Sequence, residues 1–214
     1  DRDVRVMVMG IPNVGKSTLI NGLAKRKIAK TGNEPAVTKR QQKVRIDGRV
    51  ALTDTPGVLW PKIEDQASAH RLAASGAIRD TAIDYLDVAV VAAAELAKRY
   101  PEALSQRYKL KALPPYQGNP AADSVEADGP MRVDLLAQAG FDGNAIVRDI
   151  AAKRGGLRPG GEVDLHRGAE VLLHELRDGK LGRLTLETPA DIPPPPAPEA
   201  DEADSEDAAT NADS

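Results

Sequence analysis

The octapeptide GIPNVGKS at residues 10–17 constrains most strongly what this 214-residue chain can fold into. It follows an apolar run at residues 4–9, which predicts a parallel strand covered on both faces, and precedes a helical pattern marked by Leu19, Ile20 and Leu23. A strand, a G-x-x-x-x-G-K-S turn and a helix together form a P-loop, because the backbone N–H groups of the turn converge on a phosphate at the helix N-terminus. The sequence therefore predicts a phosphate site between the first strand and the first helix.

The side chains of this turn suggest separate roles. Lys16 would reach the β- and γ-phosphates of a nucleotide, and the Ser17 hydroxyl would bind Mg²⁺. The flanking strand and helix favour this interpretation over a glycine-rich turn with a solvated lysine. The predicted nucleotide-binding residues are Asn13, Val14, Gly15, Lys16, Ser17, Thr18 and, from a second motif, Gly57.

The second motif follows a predicted hairpin, whose arms are residues 42–46 and residues 49–53. The second arm ends at Asp54 in the tetrapeptide DTPG, at a strand end where doubly wound folds bind ligands. After a P-loop, a D-x-x-G at this distance is the second signature of GTPases. Asp54 would orient Mg²⁺ through a water, and the Gly57 N–H would contact the γ-phosphate.

A threonine between the two motifs completes the predicted site. Thr38 lies in the loop PAVTK, where GTPases place a switch threonine that binds Mg²⁺ and senses the γ-phosphate. The predicted catalytic residues are then Lys16, Thr38 and Gly57, and the predicted Mg²⁺ ligands are Ser17, Thr38 and Asp54.

Composition narrows the function further. The chain has no cysteine, which excludes disulfides and cysteine chemistry, and only 3% aromatic residues, which disfavours a stacking surface for single-stranded nucleic acid. No apolar run is long enough to span a bilayer. We therefore expect a cytoplasmic protein without stable membrane insertion.

The formal net charge of −3 hides an uneven distribution of charge. Eight of the 32 acidic residues follow residue 188, where there is no Lys or Arg, so 24 remain against 29 basic residues. This small basic excess has two interpretations: it could favour binding to a polyanionic partner, or it could belong to an ordinary solvated surface.

The rest of the chain is mostly helical in pattern. Residues 63–106 predict two helices interrupted at Gly76, the second beginning near Thr81 with a capping box at Thr81 and Asp84. Shorter helices are predicted at residues 131–139 and 144–154 and after Asp164. His70, His166 and His174 show no ligand spacing and are predicted to be structural or surface residues.

The predicted fold class is α/β. Residues 1–80 would form part of a doubly wound P-loop GTPase domain, the half that binds phosphate and Mg²⁺. Residues 81–188 would form a small helical domain, and residues 189–214 a disordered acidic tail rich in proline.

With these motifs placed, residues 1–188 resemble the ribosome biogenesis GTPase A (YlqF/RbgA-type) family of circularly permuted GTPases. The resemblance lies in five segments: GIPNVGKSTLIN at 10–21, PAVTK at 35–39, DTPGVLWPK at 54–62, GGEVD at 160–164 and GKLGR at 179–183. It implies GTP hydrolysis in assembly of the large ribosomal subunit, with the precursor subunit and its rRNA as partners and no role for DNA.

The resemblance also implies two details of the site. Asn13 matches the asparagine that helps to hold K⁺ in potassium-activated GTPases, and Val58 stands where many GTPases carry the glutamine that orients water. The chain departs from the family pattern at one point, because it contains no N-K-x-D, the guanine-reading motif.

Two alternatives to a GTPase remain open at this stage. The chain could use ATP, because a phosphate site does not read the base, or it could be a non-catalytic module that binds ribosomes or RNA. If it is a GTPase, we expect residues 1–214 alone to be incomplete. The only further strands predicted here would stack on one side of the P-loop strand and leave its other edge without a partner.

Overall fold

The computed structural model describes residues 4–25, 42–47, 50–60, 63, 65–78, 84–118 and 130–191. The chain forms one compact unit, Asp1–Leu184, and a second unit, Thr185–Ser214. In the second unit the described residues include a 3-10 turn at Pro189–Asp191, where the Thr188 hydroxyl donates to Asp191 Oδ2 at 2.7 Å. The disordered tail stays a prediction, because residues 192–214 lie outside the described residues.

The described strands form one mixed sheet in the order β1-β3-β2. Strand β1 (Val4–Val8) pairs in parallel with β3 (Val50–Asp54), and the register sets Val8 opposite Asp54. Strand β2 (Gln42–Asp47) is antiparallel to β3, so the predicted hairpin is confirmed. Parallel pairing brings the ends of β1 and β3, and the loops that follow them, to the same edge of the sheet.

The surroundings of β1 differ from the prediction that this strand is covered on both faces. Val4 and Met7 are 55% and 54% exposed. The reason is position, since β1 is an edge strand of the described sheet and pairs there with β3 alone. The small core on this sheet lies between helix and strand, where Ile20 and Leu52 are buried together. Both predicted strands thus stack on one side of β1, as the sequence indicated.

Seven α-helices lie within the described residues: α1 (Lys16–Ala24), α2 (Gln66–Ala74), α3 (Tyr85–Arg99), α4 (Pro101–Tyr108), α5 (Pro130–Ala139), α6 (Gly143–Lys153) and α7 (Leu165–Arg177). None of them combines the length and the apolar character that a membrane span requires. Tyr100-Pro101 ends α3, and Pro101 then begins α4, because the first helical position needs no N–H donor.

Aspartates cap four of these helices: Asp65, Asp84, Asp142 and Asp164 precede α2, α3, α6 and α7 and accept from backbone N–H groups of the first turn. The predicted capping box beginning at Thr81 is therefore wrong. Asp84 has an extended backbone and is itself the N-cap, accepting from the N–H groups of Leu86 and Asp87. Thr81 lies outside the described residues.

The main core surrounds α3, which buries residues on all of its faces because other helices pack around it. The alanines of α3 allow other helices to approach closely, and a Cβ added to Gly143 of α6 would overlap the Val90 carbonyl oxygen.

His70 has a structural role, with ring nitrogens 2.8 Å from the Gln66 carbonyl oxygen and 2.9 Å from Asp87 Oδ2. The division into a GTPase part and a helical domain after residue 80 stays a prediction.

A bidentate ion pair joins α4 to α7. Arg107 donates through Nε and Nη2 to the two carboxylate oxygens of Glu175, at 2.9 and 2.5 Å, and the Glu175 side chain is 12% exposed. Hydrogen bonding to Arg107 holds the pKa of Glu175 below its usual range. The charged form of Glu175 therefore stabilises the fold above the ordinary carboxyl pKa, and this contribution is lost as the pH falls through the lowered pKa.

We expect Glu175→Gln to destabilise the chain at neutral pH and to have a progressively smaller effect toward acid pH. Glutamine has no negative charge for the Arg107 guanidinium to bind at any pH, whereas the native carboxylate loses its charge by protonation as the pH falls. Denaturant unfolding of both proteins between pH 7 and pH 3 measures the difference. The matched control is Glu170→Gln on the same helix, where the Arg167 pair is half exposed. An equal loss at every pH would contradict the role of the Glu175 charge.

Candidate nucleotide site

The N-terminus of α1 differs from those of the helices capped by aspartate. Its N-cap, Gly15, has φ 87° and ψ 14° in the left-handed region, and no side chain caps the helix. The first turn contains no acidic residue. The positive end of the helix dipole is thus directed at the loop of residues 10–15 without a local carboxylate, which is the arrangement of an anion site.

Lys16 reaches back across this loop. Its Nζ donates to the Ile11 carbonyl oxygen at 2.6 Å, and the side chain is half-buried. The ammonium therefore lies over the loop whose N–H groups would hold a phosphate. A phosphate oxygen would be a stronger acceptor for this ammonium than a neutral carbonyl, because both partners would then be charged.

The first and second motifs meet at Ser17 and Asp54. The Ser17 hydroxyl donates to Asp54 Oδ2 at 2.9 Å, and Asp54 is completely buried at the end of β3. The parallel register produces this contact, since it brings the end of β3 beside the loop that follows β1. A hydroxyl and a carboxylate are hard oxygen ligands of the kind Mg²⁺ prefers, so the donor set fits this ion.

The D-T-P-G segment packs directly against the P-loop. The Thr55 hydroxyl donates to the Val8 carbonyl oxygen at 2.7 Å, and the Val58 N–H donates to the Gly10 carbonyl oxygen at 3.3 Å. A Cβ added to Gly57 would lie 2.5 Å from Pro12 Cα, which only glycine avoids. Gly57, which is predicted to contact the γ-phosphate, is thus also the residue at which the D-T-P-G segment touches the P-loop.

The remaining predicted residues are distributed around this contact. Asn13 has φ 59° and donates from Nδ2 to the Gly76 carbonyl oxygen at 2.8 Å. Val14 and Thr18 are exposed beside the loop, and Val58 is 72% exposed. Thr38 lies outside the described residues, so its Mg²⁺ role stays a prediction.

Sequence reasoning missed two contributors to the site. The motif assigns roles to Asp54 and Gly57 but none to Thr55, whose hydroxyl binds the end of the neighbouring strand. Gly76 was interpreted only as a helix interruption, yet its carbonyl receives the Asn13 amide. No local pattern indicates that second contact, because 63 residues separate the partners.

A strand, a P-loop, a helix and a D-x-x-G brought together at parallel strand ends define a nucleotide-binding protein of the P-loop class. Residues 5–112 match the family model described as 50S ribosome-binding GTPase. The chain therefore belongs to the 50S ribosome-binding GTPases, as a member of the ribosome biogenesis GTPase A (YlqF/RbgA-type) family.

Two curated relatives agree with this assignment. The chain is 45% identical over 190 residues to ribosome biogenesis GTPase A of Bacillus cereus, covering 89% of this chain and 55% of the relative. It is 43% identical to the protein of the same name from Priestia megaterium, covering 91% and 58%. The GDP-bound structure of TM YlqF is 25% identical, with 89% and 63% of the two chains covered and a TM-score of 0.49. The chain thus spans little more than half the length of these curated relatives.

We expect Gly57→Ala to weaken nucleotide binding and to lower the free energy of unfolding by about 1–3 kcal/mol, a typical cost of overpacking. The new methyl group would push the D-T-P-G segment away from Pro12 and so separate the two halves of the site. Titration with a fluorescent GTP analogue and denaturant unfolding measure the two effects.

Gly22→Ala is the matched control, because Gly22 lies in α1 and a Cβ there would meet nothing within 4 Å. It should keep nucleotide affinity and gain about 0.5–1 kcal/mol from helix propensity. Equal affinities of the two variants would mean that the contact between Gly57 and Pro12 does not organise the site.

Proposed function

We propose that the protein containing this chain binds GTP and hydrolyses it to GDP and phosphate during assembly of the large ribosomal subunit. The observation that carries the proposal is the contact between Ser17 and Asp54 at 2.9 Å, beside a helix N-terminus that no side chain caps. This contact unites the phosphate and metal motifs of a GTPase in one place. The names of the relatives supply the ribosomal context.

The residues would act by positioning and by neutralising charge. Backbone N–H groups around Gly15 and the Lys16 ammonium bind the phosphates, and the Gly57 N–H faces the γ-phosphate. Ser17, Thr38 and Asp54 would hold Mg²⁺, with Asp54 acting through a water. When bound, this ion neutralises negative charge on the phosphate oxygens.

The Asn13 amide is proposed to hold K⁺. Its nitrogen donates to the Gly76 carbonyl, so the amide oxygen is the atom that would ligate the cation. Val58 cannot position the attacking water, because an aliphatic side chain neither donates nor accepts a hydrogen bond. Another group must therefore orient that water.

The proposed architecture is a circularly permuted GTPase, with residues 1–80 as its phosphate and Mg²⁺ half, residues 81–188 as a helical domain and residues 189–214 as an acidic tail. Helices α3 to α7 occupy most of the proposed helical domain. We propose that the chain contacts the rRNA of the precursor subunit in the cytoplasm. The basic excess of residues 1–188, which favours such a polyanion, lies in residues 1–80, where 15 basic residues stand against 8 acidic ones.

Lys16→Ala tests the proposed hydrolysis. We expect the rate of GTP hydrolysis by the full-length protein to fall by at least about a hundredfold, because the ammonium supplies charge to the transition state. The free energy of unfolding should change little, since the lysine contributes little to the core. Phosphate release and denaturant unfolding measure the two quantities.

Val58→Ala is the comparison variant, because Val58 lies in the same site but offers no polar group. We expect its hydrolysis rate to stay within a few-fold of the native rate. Hydrolysis that survives Lys16→Ala in a folded protein would exclude the proposed catalytic site. A native protein that binds nucleotide without hydrolysing it would instead support the non-catalytic alternative.

Guanine selectivity is the second measurable consequence of the sequence. Residues 1–214 contain no N-K-x-D, and loss of a buried charged recognition group costs about 2–5 kcal/mol of binding free energy. We therefore expect this chain alone to bind GTP and ATP with similar affinities, and the full-length protein to prefer GTP. Calorimetric titration of each protein with GTP, ATP and GDP makes the comparison. Strong GTP preference by residues 1–214 would contradict the prediction, and ATP preference by the full-length protein would favour an ATP-dependent enzyme.

A further inference from the structure

The orientation of the Asn13 amide is set from outside the P-loop. Its Nδ2 donates to the Gly76 carbonyl oxygen at 2.8 Å, and a carbonyl can only accept, so the amide nitrogen must face Gly76. The amide oxygen then lies on the other side. The segment after α2 thus decides which end of the Asn13 side chain is turned toward the loop.

Arg177, the last residue of α7, binds the C-terminal end of α2, which leads into Gly76. Its Nε donates to the Ala74 carbonyl oxygen at 3.1 Å and its Nη2 to the Ala73 carbonyl oxygen at 2.9 Å. A fork of guanidinium donors thus binds the C-terminal carbonyls of α2, where the helix dipole favours a cation. The Gly76 N–H also donates to Ala73, at 3.0 Å, so the same carbonyl connects Arg177 to the turn.

Gly76 itself lies against the arginine. A Cβ added to it would be 3.2 Å from Nε and 3.3 Å from Cδ of Arg177, and its φ of +81° is in the left-handed region. Glycine therefore lets the turn approach the guanidinium closely. This packing leaves the Gly76 carbonyl little room to move away from Asn13.

Arg177 is fixed in turn by α3. Its guanidinium lies 5.5 Å from the centre of the Tyr85 ring, and its Nη1 donates to the Tyr85 hydroxyl at 3.4 Å. Stacking on an aromatic ring suits arginine better than lysine, because the guanidinium is planar. The contacts thus run from the buried helix α3 through Arg177 and Gly76 to the P-loop.

We propose that Arg177 is a positioning residue for the nucleotide site: by fixing Gly76 it orients the Asn13 amide in the P-loop. Arg177 acts on the site through Gly76 and is not a catalytic residue. The orientation of the amide is a property of the chain itself, whereas the effect on catalysis rests on the proposed GTP hydrolysis. A ligand that displaced Arg177 would alter the nucleotide site, and bound nucleotide would in turn alter the affinity for that ligand.

The direct test follows the side-chain NH₂ resonances of Asn13 by NMR in the full chain without nucleotide, assigned by their loss in Asn13→Ala. Arg177→Ala should shift these resonances toward those of a solvated amide. Arg177→Lys should shift them partway, because lysine can bind one carbonyl but cannot form the fork. The matched control is Arg107→Ala, which removes another arginine contact of α7, that with Glu175.

Unchanged Asn13 resonances in a folded Arg177→Ala protein, or equal shifts in Arg107→Ala, would overturn the proposal. If Arg177→Ala does not fold, Arg177→Lys decides, and resonances identical to those of the native chain would then overturn it.

Hydrolysis by the full-length protein provides a second readout. Arg177→Ala should lower kcat about tenfold with less than a threefold change in KM, because misplacing a site group affects the transition state more than binding. Arg107→Ala should change neither. If the native protein does not hydrolyse GTP, the proposed function fails while the NMR result still decides the role of Arg177. Native kcat in Arg177→Ala would remove the catalytic consequence.

Discussion

The parallel register of β1 and β3 is the constraint on which the site depends. Because Val8 lies opposite Asp54, the loops after the two strands begin side by side. The Thr55 hydroxyl binds the end of β1, and the Gly57 backbone can then approach Pro12 as closely as a glycine permits. Shifting the register by one residue would move the Asp54 side chain to the opposite face of the sheet. The contact between Ser17 and Asp54 is therefore a consequence of strand pairing as much as of the two motifs.

The helical part supplies the rigid support for this edge of the sheet. Helix α3 is buried on all sides and fixes Tyr85, which in turn receives Arg177 from the end of α7. The C-terminus of α2 is bound by that arginine and continues into Gly76, which holds the P-loop asparagine. Buried packing thus reaches an exposed phosphate loop through a few polar contacts.

Features set by local chemistry could be predicted from the sequence. The P-loop, the hairpin before Asp54 and the Asp164 cap depend on residues close together in the chain, and these appear where their patterns indicated. The prediction for the exposure of β1 was wrong, because the sequence of an apolar strand does not show whether neighbouring strands are present to cover it. The capping box at Thr81 was wrong because Asp84 satisfies either position of the pattern. The Gly76 contact could not be predicted, since it depends on how the helices pack.

Phosphate binding and base recognition are physically separable in such a protein. The proposed phosphate side includes backbone N–H groups, one lysine and a hydroxyl paired with a buried carboxylate, all contributed by two segments that touch each other. Pairing of β1 with β3 brings these groups together, because it sets the ends of the two strands side by side. Base recognition instead needs a side chain that reads the edge of the ring, and the motif that does so is missing from residues 1–214. In the proposed function, these groups would bind a triphosphate through charge and backbone geometry, and neither of these properties distinguishes one base from another.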